Sequence, residues 1–223
     1  MAKFKNANKA FEFFYDIIQE PIIGEDFANT KAMFNVGFAI ENPLDNDITC
    51  KYRKWNKDYA EAEWQWYLSA NQNAEEISKR APIWKNHMDP QGNVQSNYGW
   101  QWVRGSQLDR IIDQLAFSKV NKTDTRQAVI TFYDGKEIAN YAYDTPCTLS
   151  AHFQIVQNKL CMTVNMRSND LWYGFCNDQY CFSKLLEMVA NELGIEVGWY
   201  YHFTSNLHLY NDFLGLNDGK KSF

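Results

Sequence analysis

Apolar positions along the chain fall into two rhythms. In 56–71, Tyr59, Ala62, Glu63, Trp66, Tyr67 and Ala70 recur at three- and four-residue spacings, the period of one helix face, so a helix is predicted there with Glu63 on its inner stripe. Leu108, Ile111, Ile112 and Leu115 predict a second helix over 107–118. Phe182, Leu185, Leu186, Val189 and Leu193 predict a third over 179–193, with Gly194 placed to end it. Elsewhere the composition turns to strand formers. Residues 128–133 are rich in Val, Ile, Thr and aromatics, 148–156 and 159–167 flank the polar pair Gln157-Asn158 as the arms of a hairpin, and 199–210 reads as a further strand. Long helices mixed with hairpin-like strands predict an α+β fold, a large mixed or antiparallel sheet with helices on one face. The other face then needs cover, which a second copy of the chain would supply. No repeat, low-complexity tract or linker interrupts the sequence, so a single domain over 1–223 is expected.

Composition narrows the function classes. With 223 residues, 45% hydrophobic and 22% charged, the chain can bury a substantial core. No window approaches the roughly 20 apolar residues of a membrane span, and the lysine-bearing start (Lys3, Lys5, Lys9) is not followed by a signal-type apolar run. A cytoplasmic protein with no membrane partner is expected. A net charge of -5 disfavours a nucleic-acid backbone as ligand and favours a small-molecule site. Five cysteines, without a CxxC pair, argue against a disulfide framework and against zinc, and His87, His152, His202 and His208 lack metal-ligand spacing.

Several residues stand out as chemistry. Cys147 follows Pro146 at the entry to a predicted strand. A lone cysteine is usually a buried, inert hydrophobe, and a nucleophile needs cationic neighbours, which Arg126 and Arg167 would provide if the fold gathers them. Glu63, among aromatics, should have its pKa pushed toward neutrality, as general acid–base work requires; the alternative is a surface Glu at the edge of the stripe. The run Asn165-Met166-Arg167-Ser168-Asn169-Asp170 offers a guanidinium fork and a hydroxyl to an anion, with Asp178 and aromatics close behind. His208 and Tyr210 alternate along one strand, either as a hydroxyl-binding pair or as a satisfied core pair.

Taken together these residues resemble the thymidylate synthase superfamily, and within it the phage deoxycytidylate hydroxymethylases. The resemblance runs from about Cys50 to Asp212. It rests on Asn165 through Asp170 with Gly174 and Asn177-Asp178, on Glu63 in Ala62-Glu63-Trp64-Gln65-Trp66-Tyr67-Leu68-Ser69, and on Ile83-Trp84, Asn97-Tyr98-Gly99, Asp124-Thr125-Arg126, Pro146-Cys147 and His208-Leu209-Tyr210.

The resemblance implies a thymidylate synthase-like fold and a homodimer. Cys147 would attack C6 of a pyrimidine nucleoside monophosphate and activate C5 toward 5,10-methylenetetrahydrofolate, without a metal. Arg167 and Ser168 would hold the 5′-phosphate, and Arg126 would reach the neighbouring subunit's phosphate. His208 and Tyr210 would bind the sugar hydroxyl, and Asn169 and Tyr98 would line the substrate pocket. Asp170, Trp84 and Asn56 would lie on the folate side, and Glu63 would order water and move protons. The two arginines would favour the Cys147 thiolate.

Two positions bear on the reaction. Thymidylate synthases read uracil with an Asn where this chain has Asp178. A carboxyl can accept from the cytosine amino group and, when protonated, donate to N3, so Asp178 predicts dCMP; each mispaired buried group costs about 1–3 kcal/mol. The thirteen residues after Tyr210 do not match the family's closing tail, and a wetter site predicts hydroxymethylation with release of tetrahydrofolate. Gln127 replaces a second family arginine, Thr148 replaces the histidine after the nucleophile, and the N-terminal phosphate arginine has no match. The alternatives are methylation of dCMP, action on dUMP, and a nucleotide-binding module without turnover.

Overall fold

The computed structural model describes residues 1–123 and 126–217. Its strands are β1 (Ala2–Phe4), β2 (Glu25–Phe27), β3 (Thr30–Ile40), β4 (Val129–Thr131), β5 (Thr148–Val156), β6 (Lys159–Met166), β7 (Asn169–Asp170) and β8 (Glu196–Tyr210). Its α-helices are α1 (Ala7–Ile17), α2 (Lys57–Leu68), α3 (Glu75–Ser78), α4 (Tyr98–Val103), α5 (Gln107–Asn121) and α6 (Gly174–Leu193). The sheet runs β1-β3-β8-β6-β5-β4, with β2 paired to β3 and β7 to β8. It is mixed: β3 and β5 run antiparallel to their neighbours β8 and β6, while β6 and β7 lie parallel to β8. The predicted α+β class and mixed sheet are therefore observed.

One sheet face is an apolar plane that runs across five strands. Val36, Phe38 and Ile40 stand opposite Thr204, His202 and Tyr200; Val164 and Met162 continue the row, followed by Ala151 and Phe153 and by Ile130. All of these are buried, as alternation requires when helices cover a single face. The inner side of α6 supplies Phe175, Phe182, Leu185, Leu186 and Val189 to the same core. On the opposite face Trp199, Tyr201 and Phe203 are only half-buried.

The predicted hairpin has its turn at Gln157-Asn158, whose φ values of 51° and 61° make the left-handed turn that a tight antiparallel connection needs. Gly194 ends α6 with φ 59°. Three expectations shift. The α2 stripe that is buried is Ala60, Glu63, Trp64 and Tyr67, while Tyr59, Ala62 and Trp66 pack on a separate small cluster around Ala74, Ile77 and Val94. Helix α6 starts at Gly174 rather than near Gln179, which moves Asp178 from a loop into the helix. β6 ends at Met166, so Arg167 lies just past the strand. Among the described residues no helix is long and apolar enough to cross a membrane.

Candidate active site

Cys147 sits on the short loop that enters β5, and two features fix that loop. The buried carboxylate of Asp144 accepts from the backbone N–H and the hydroxyl of Ser96, at 2.6 and 2.9 Å. Arg167 holds the other end: its Nε donates to the Pro146 carbonyl at 3.0 Å and its Nη2 to the Thr145 carbonyl at 2.8 Å, with Nη2 also 3.7 Å from Cys147 Sγ. The guanidinium read in the sequence as an anion fork is thus also the clamp on the cysteine loop. It pulls the thiol toward ionisation, but burial acts more strongly and pushes Cys147 up to about 11, with Asp178, Asp144 and Asp170 adding to the rise. Arg167 thus acts in the expected direction, favouring the thiolate, though burial outweighs it. Arg126, exposed on the segment before β4, is not among the leading charges on the thiol. Asp124 and Thr125 of its motif, and the tail 218–223, lie outside the described residues.

Two carboxyls come to the site from the helices and act on each other electrostatically. Glu63, on the buried side of α2, accepts from the Tyr67 hydroxyl at 2.8 Å through Oε1, whereas Oε2 is buried without a hydrogen-bond partner among the described residues. Burial raises its pKa to about 7, Tyr67 and Tyr59 offsetting only part of the rise; the expected shift toward neutrality is present. Asp178, on the first turns of α6, is raised well above the usual carboxyl range by burial, and the nearby Glu63 charge adds to the rise. Its Oδ2 accepts from Asn169 Nδ2 at 2.8 Å. Gly174 permits this approach, since a methyl there would stand 3.0 Å from Asn169 Nδ2 and 3.3 Å from Asp178 Oδ2.

Tyr98 joins the two sides. Its hydroxyl accepts from the Thr148 backbone N–H at 3.3 Å, and both Asp178 and Cys147 act on it electrostatically. The flanking motif residues are structural. Asn97 caps α4 through Trp100 N–H at 2.7 Å and donates to the Trp66 and Asn71 carbonyls at the end of α2. A side chain at Gly99 would overlap the Tyr67 carbonyl.

The remaining predicted residues divide between the pocket and its margin. Asp170 and His208 are register partners on β7 and β8. Asp170 accepts the backbone N–H groups of Trp172 and Tyr173 at 2.9 and 3.2 Å, yet burial still lifts it to about 6. His208, whose pKa burial lowers, meets Asn206 at 3.0 Å, and the Tyr210 ring stands edge-on to it at 5.5 Å. Burial raises the Tyr210 pKa, and the charges of Asp170 and Cys147 add to the rise. Ser168 lies half-buried between Arg167 and Asn169. Trp84 donates its indole N–H to Tyr59 at 2.9 Å and stands edge-on to Trp66, forming an aromatic wall behind α2. Asn56 is exposed and caps α2 through the Tyr59 N–H at 3.1 Å. Among the described residues there is no group of three or more His, Cys, Asp or Glu side chains fit to hold a metal ion.

A thiol, several carboxyls with raised proton affinity and an arginine are thus linked by their charges into one cluster. Residues 12–217 match the sequence model of thymidylate synthase. The chain belongs to the thymidylate synthase family. Among similar proteins, the deoxyuridylate hydroxymethyltransferase of Pseudomonas phage M6 is 30% identical over 151 residues, 67% of this chain and 43% of that protein. The enzyme of the same name from Delftia phage PhiW-14 is 30% identical over 195 residues, 80% of this chain and 53% of that protein. The thymidylate synthase of Bacillus mojavensis is 25% identical over 189 residues, 82% of this chain and 67% of that protein. The chain thus spans about half the length of the two phage enzymes.

Within the thymidylate synthase family frame, two residues beside the pocket escape a reading of the sequence alone. His202 and Tyr200 are buried on β8 and linked to Asn169. Their signal is the alternation Tyr200, His202, Thr204, which puts a histidine on a largely apolar inward face.

Proposed function

We propose that the chain transfers a one-carbon unit from 5,10-methylenetetrahydrofolate to C5 of dCMP, giving 5-hydroxymethyl-dCMP and tetrahydrofolate. The observation that carries this reading is Asp178, a carboxyl beside Asn169 whose burial favours the neutral acid. A neutral acid presents one donor and one acceptor, the complement of cytosine N3 and its 4-amino group; uracil, with N3–H and O4, presents the reverse. The Cys147 sulfur bonds to C6 as its proton departs, which makes C5 nucleophilic. Arg167 steadies the loop that carries the sulfur and has a charge to offer the 5′-phosphate beside Ser168. Glu63, titrating near neutrality, both gives and takes protons at physiological pH, and its unpartnered Oε2 is suited to hold the water that hydrates the C5 methylene. When bound, the folate supplies carbon at the formaldehyde level. Asp170, lifted to about 6 while anchored by two backbone N–H groups, and the Trp84–Trp66 wall fit a flat, hydrogen-bonding heterocycle. Asn56, the exposed cap of α2, would serve that side from its rim. His208 and Tyr210 take the sugar hydroxyl. A homodimer built on the half-buried aromatic face of the sheet would bring Arg126 to the neighbouring phosphate.

A second reading, hydroxymethylation of dUMP, is favoured by the phage relatives, which are named deoxyuridylate hydroxymethyltransferases. Incubation with methylenetetrahydrofolate and either nucleotide, with mass analysis of the product, separates the two. Hydroxymethylated dCMP supports the proposal, and turnover of dUMP alone overturns it. Dihydrofolate absorbance during dCMP turnover would indicate methylation instead.

A further inference from the structure

Behind Asp178 a chain of hydrogen bonds runs away from the pocket into the core. Asn169 Nδ2 lies 2.8 Å from Asp178 Oδ2, Asn169 Oδ1 lies 3.1 Å from His202 Nε2, and His202 Nδ1 lies 2.7 Å from the Tyr200 hydroxyl. Asn169, His202 and Tyr200 are all buried, the last two completely. Burial holds the His202 pKa down at about 3, so the ring is neutral and carries one N–H. The chain can then be polarised in two ways. In the first, Tyr200 donates to Nδ1, Nε2–H donates to Asn169 Oδ1, and Asn169 Nδ2 donates to Asp178. In the second every bond is reversed: Nδ1–H points at the Tyr200 oxygen and Asp178 must donate to the amide.

The two are not equivalent. Tyr200 has His202 as its hydrogen-bond partner, so reversal strands its hydroxyl hydrogen in the core, which is the costlier arrangement. The first polarity also needs no proton on Asp178 Oδ2. The chain therefore ends on Asp178 with an N–H donor, and Oδ2 is confined to accepting. If Asp178 is neutral, its proton is on Oδ1.

We infer that His202, held as the Nε2–H tautomer by Tyr200, is a positioning residue that acts through Asn169 to fix which oxygen of Asp178 accepts and which donates, and so sets cytosine over uracil. The inference rests on Asp178 being the base-reading group. His202 and Tyr200 touch no substrate in this scheme; they transmit a direction, and Asn169 and Asp178 deliver it. A histidine is suited to the task because its two nitrogens always take opposite roles when neutral. Packing gives the relay a rigid seat, since the His202 ring lies between Phe38 and Phe175 at 5.3 Å from each.

The test joins a substrate-free readout to a kinetic one. Long-range proton–nitrogen NMR of the 15N-histidine protein, with His202 assigned by its loss in H202Q, should report Nε2–H in the wild type; Nδ1–H would overturn the proposal whether or not dCMP is the substrate. Y200F removes one hydroxyl and little volume, and should convert His202 to a mixture of tautomers; an unchanged pure Nε2–H signal would refute the role of Tyr200. In kinetics, H202F should lower the dCMP-to-dUMP ratio of kcat/KM by about tenfold or more, while H202Q, whose amide can accept from Tyr200 and donate to Asn169, should keep the ratio within about threefold. A folded H202F with an unaltered ratio would overturn the proposal. Should H202F not fold, Y200F takes its place, with a fall of about twofold or more expected. A wild-type protein that shows the Nε2–H tautomer yet ignores dCMP would sink the proposed function and the link to specificity, while leaving the polarity of the chain intact.

Discussion

Glu63→Gln isolates the energetic cost of a proton-transfer carboxyl held inside the fold. A carboxyl that titrates at about 7 in the native protein, against an ordinary 4.5, binds more protons folded than unfolded. Its contribution is therefore fully favourable below its unfolded pKa, declines as pH rises through the interval between the two values, and is flat above the folded one. At about 1.4 kcal/mol per pH unit, the decline amounts to roughly 3 kcal/mol, of which about 2.5 falls between about pH 5 and about pH 8. The glutamine of the variant cannot ionise. Its unpaired amide imposes its own cost of about 1–3 kcal/mol, but that cost does not vary with pH. Urea unfolding of both proteins at several pH values should show E63Q gaining on the wild type by about 2–3 kcal/mol over this range. Any relief of Asp178, whose proton affinity the Glu63 charge raises, adds in the same direction. A difference that stays flat to within about half a kcal/mol would refute the reasoning, because Glu63 would then titrate alike in both states.

Three further outcomes follow from the same geometry. D178N should shift the dCMP-to-dUMP ratio of kcat/KM toward dUMP by about one to two decades, since the amide presents a donor where the carboxyl accepts; steady-state kinetics on both nucleotides measures it. R167M removes the cation 3.7 Å from Sγ and the two bonds to the loop carbonyls. Its thiol should titrate higher still than about 11 and alkylate with iodoacetamide more slowly at pH 8, as followed by intact mass. G99A forces a methyl onto the Tyr67 carbonyl and should cost about 3 kcal/mol or prevent folding, as read by thermal melting.

Periodicity reaches the elements that depend on local order. The helical spacing in α5 and the outer turns of α6 and the turn at Gln157-Asn158 are of this kind, and the expectations there hold. The α2 stripe is displaced because Tyr59, Ala62 and Trp66 also pack, against a second small cluster that no single-helix pattern reveals. α6 starts earlier than its spacing suggests because its first turn, Gly174-Phe175-Cys176-Asn177-Asp178, has poor helix formers held by tertiary bonds such as Trp55 to Asn177 at 2.9 Å. β3, which carries the long antiparallel pairing to β8, interleaves Asn35 and Gly37 and shows no clear alternation. In the site, residue types identify Cys147, Glu63 and Asp178. They do not show that Arg167 is bonded to the cysteine loop, nor that burial outweighs it at the thiol, because both follow from long-range packing.

The Arg167 clamp bears on how a ligand meets this pocket. A surface arginine must surrender rotamer freedom when it closes on an anion, and a loop cysteine must be brought into line. Here the guanidinium is already tied to Thr145 and Pro146 and the loop is pinned at its other end by Ser96. Both losses are therefore met during folding rather than at the encounter. Association with a small anion should carry a small entropic penalty from this wall of the pocket, and the sulfur arrives at the encounter already aimed.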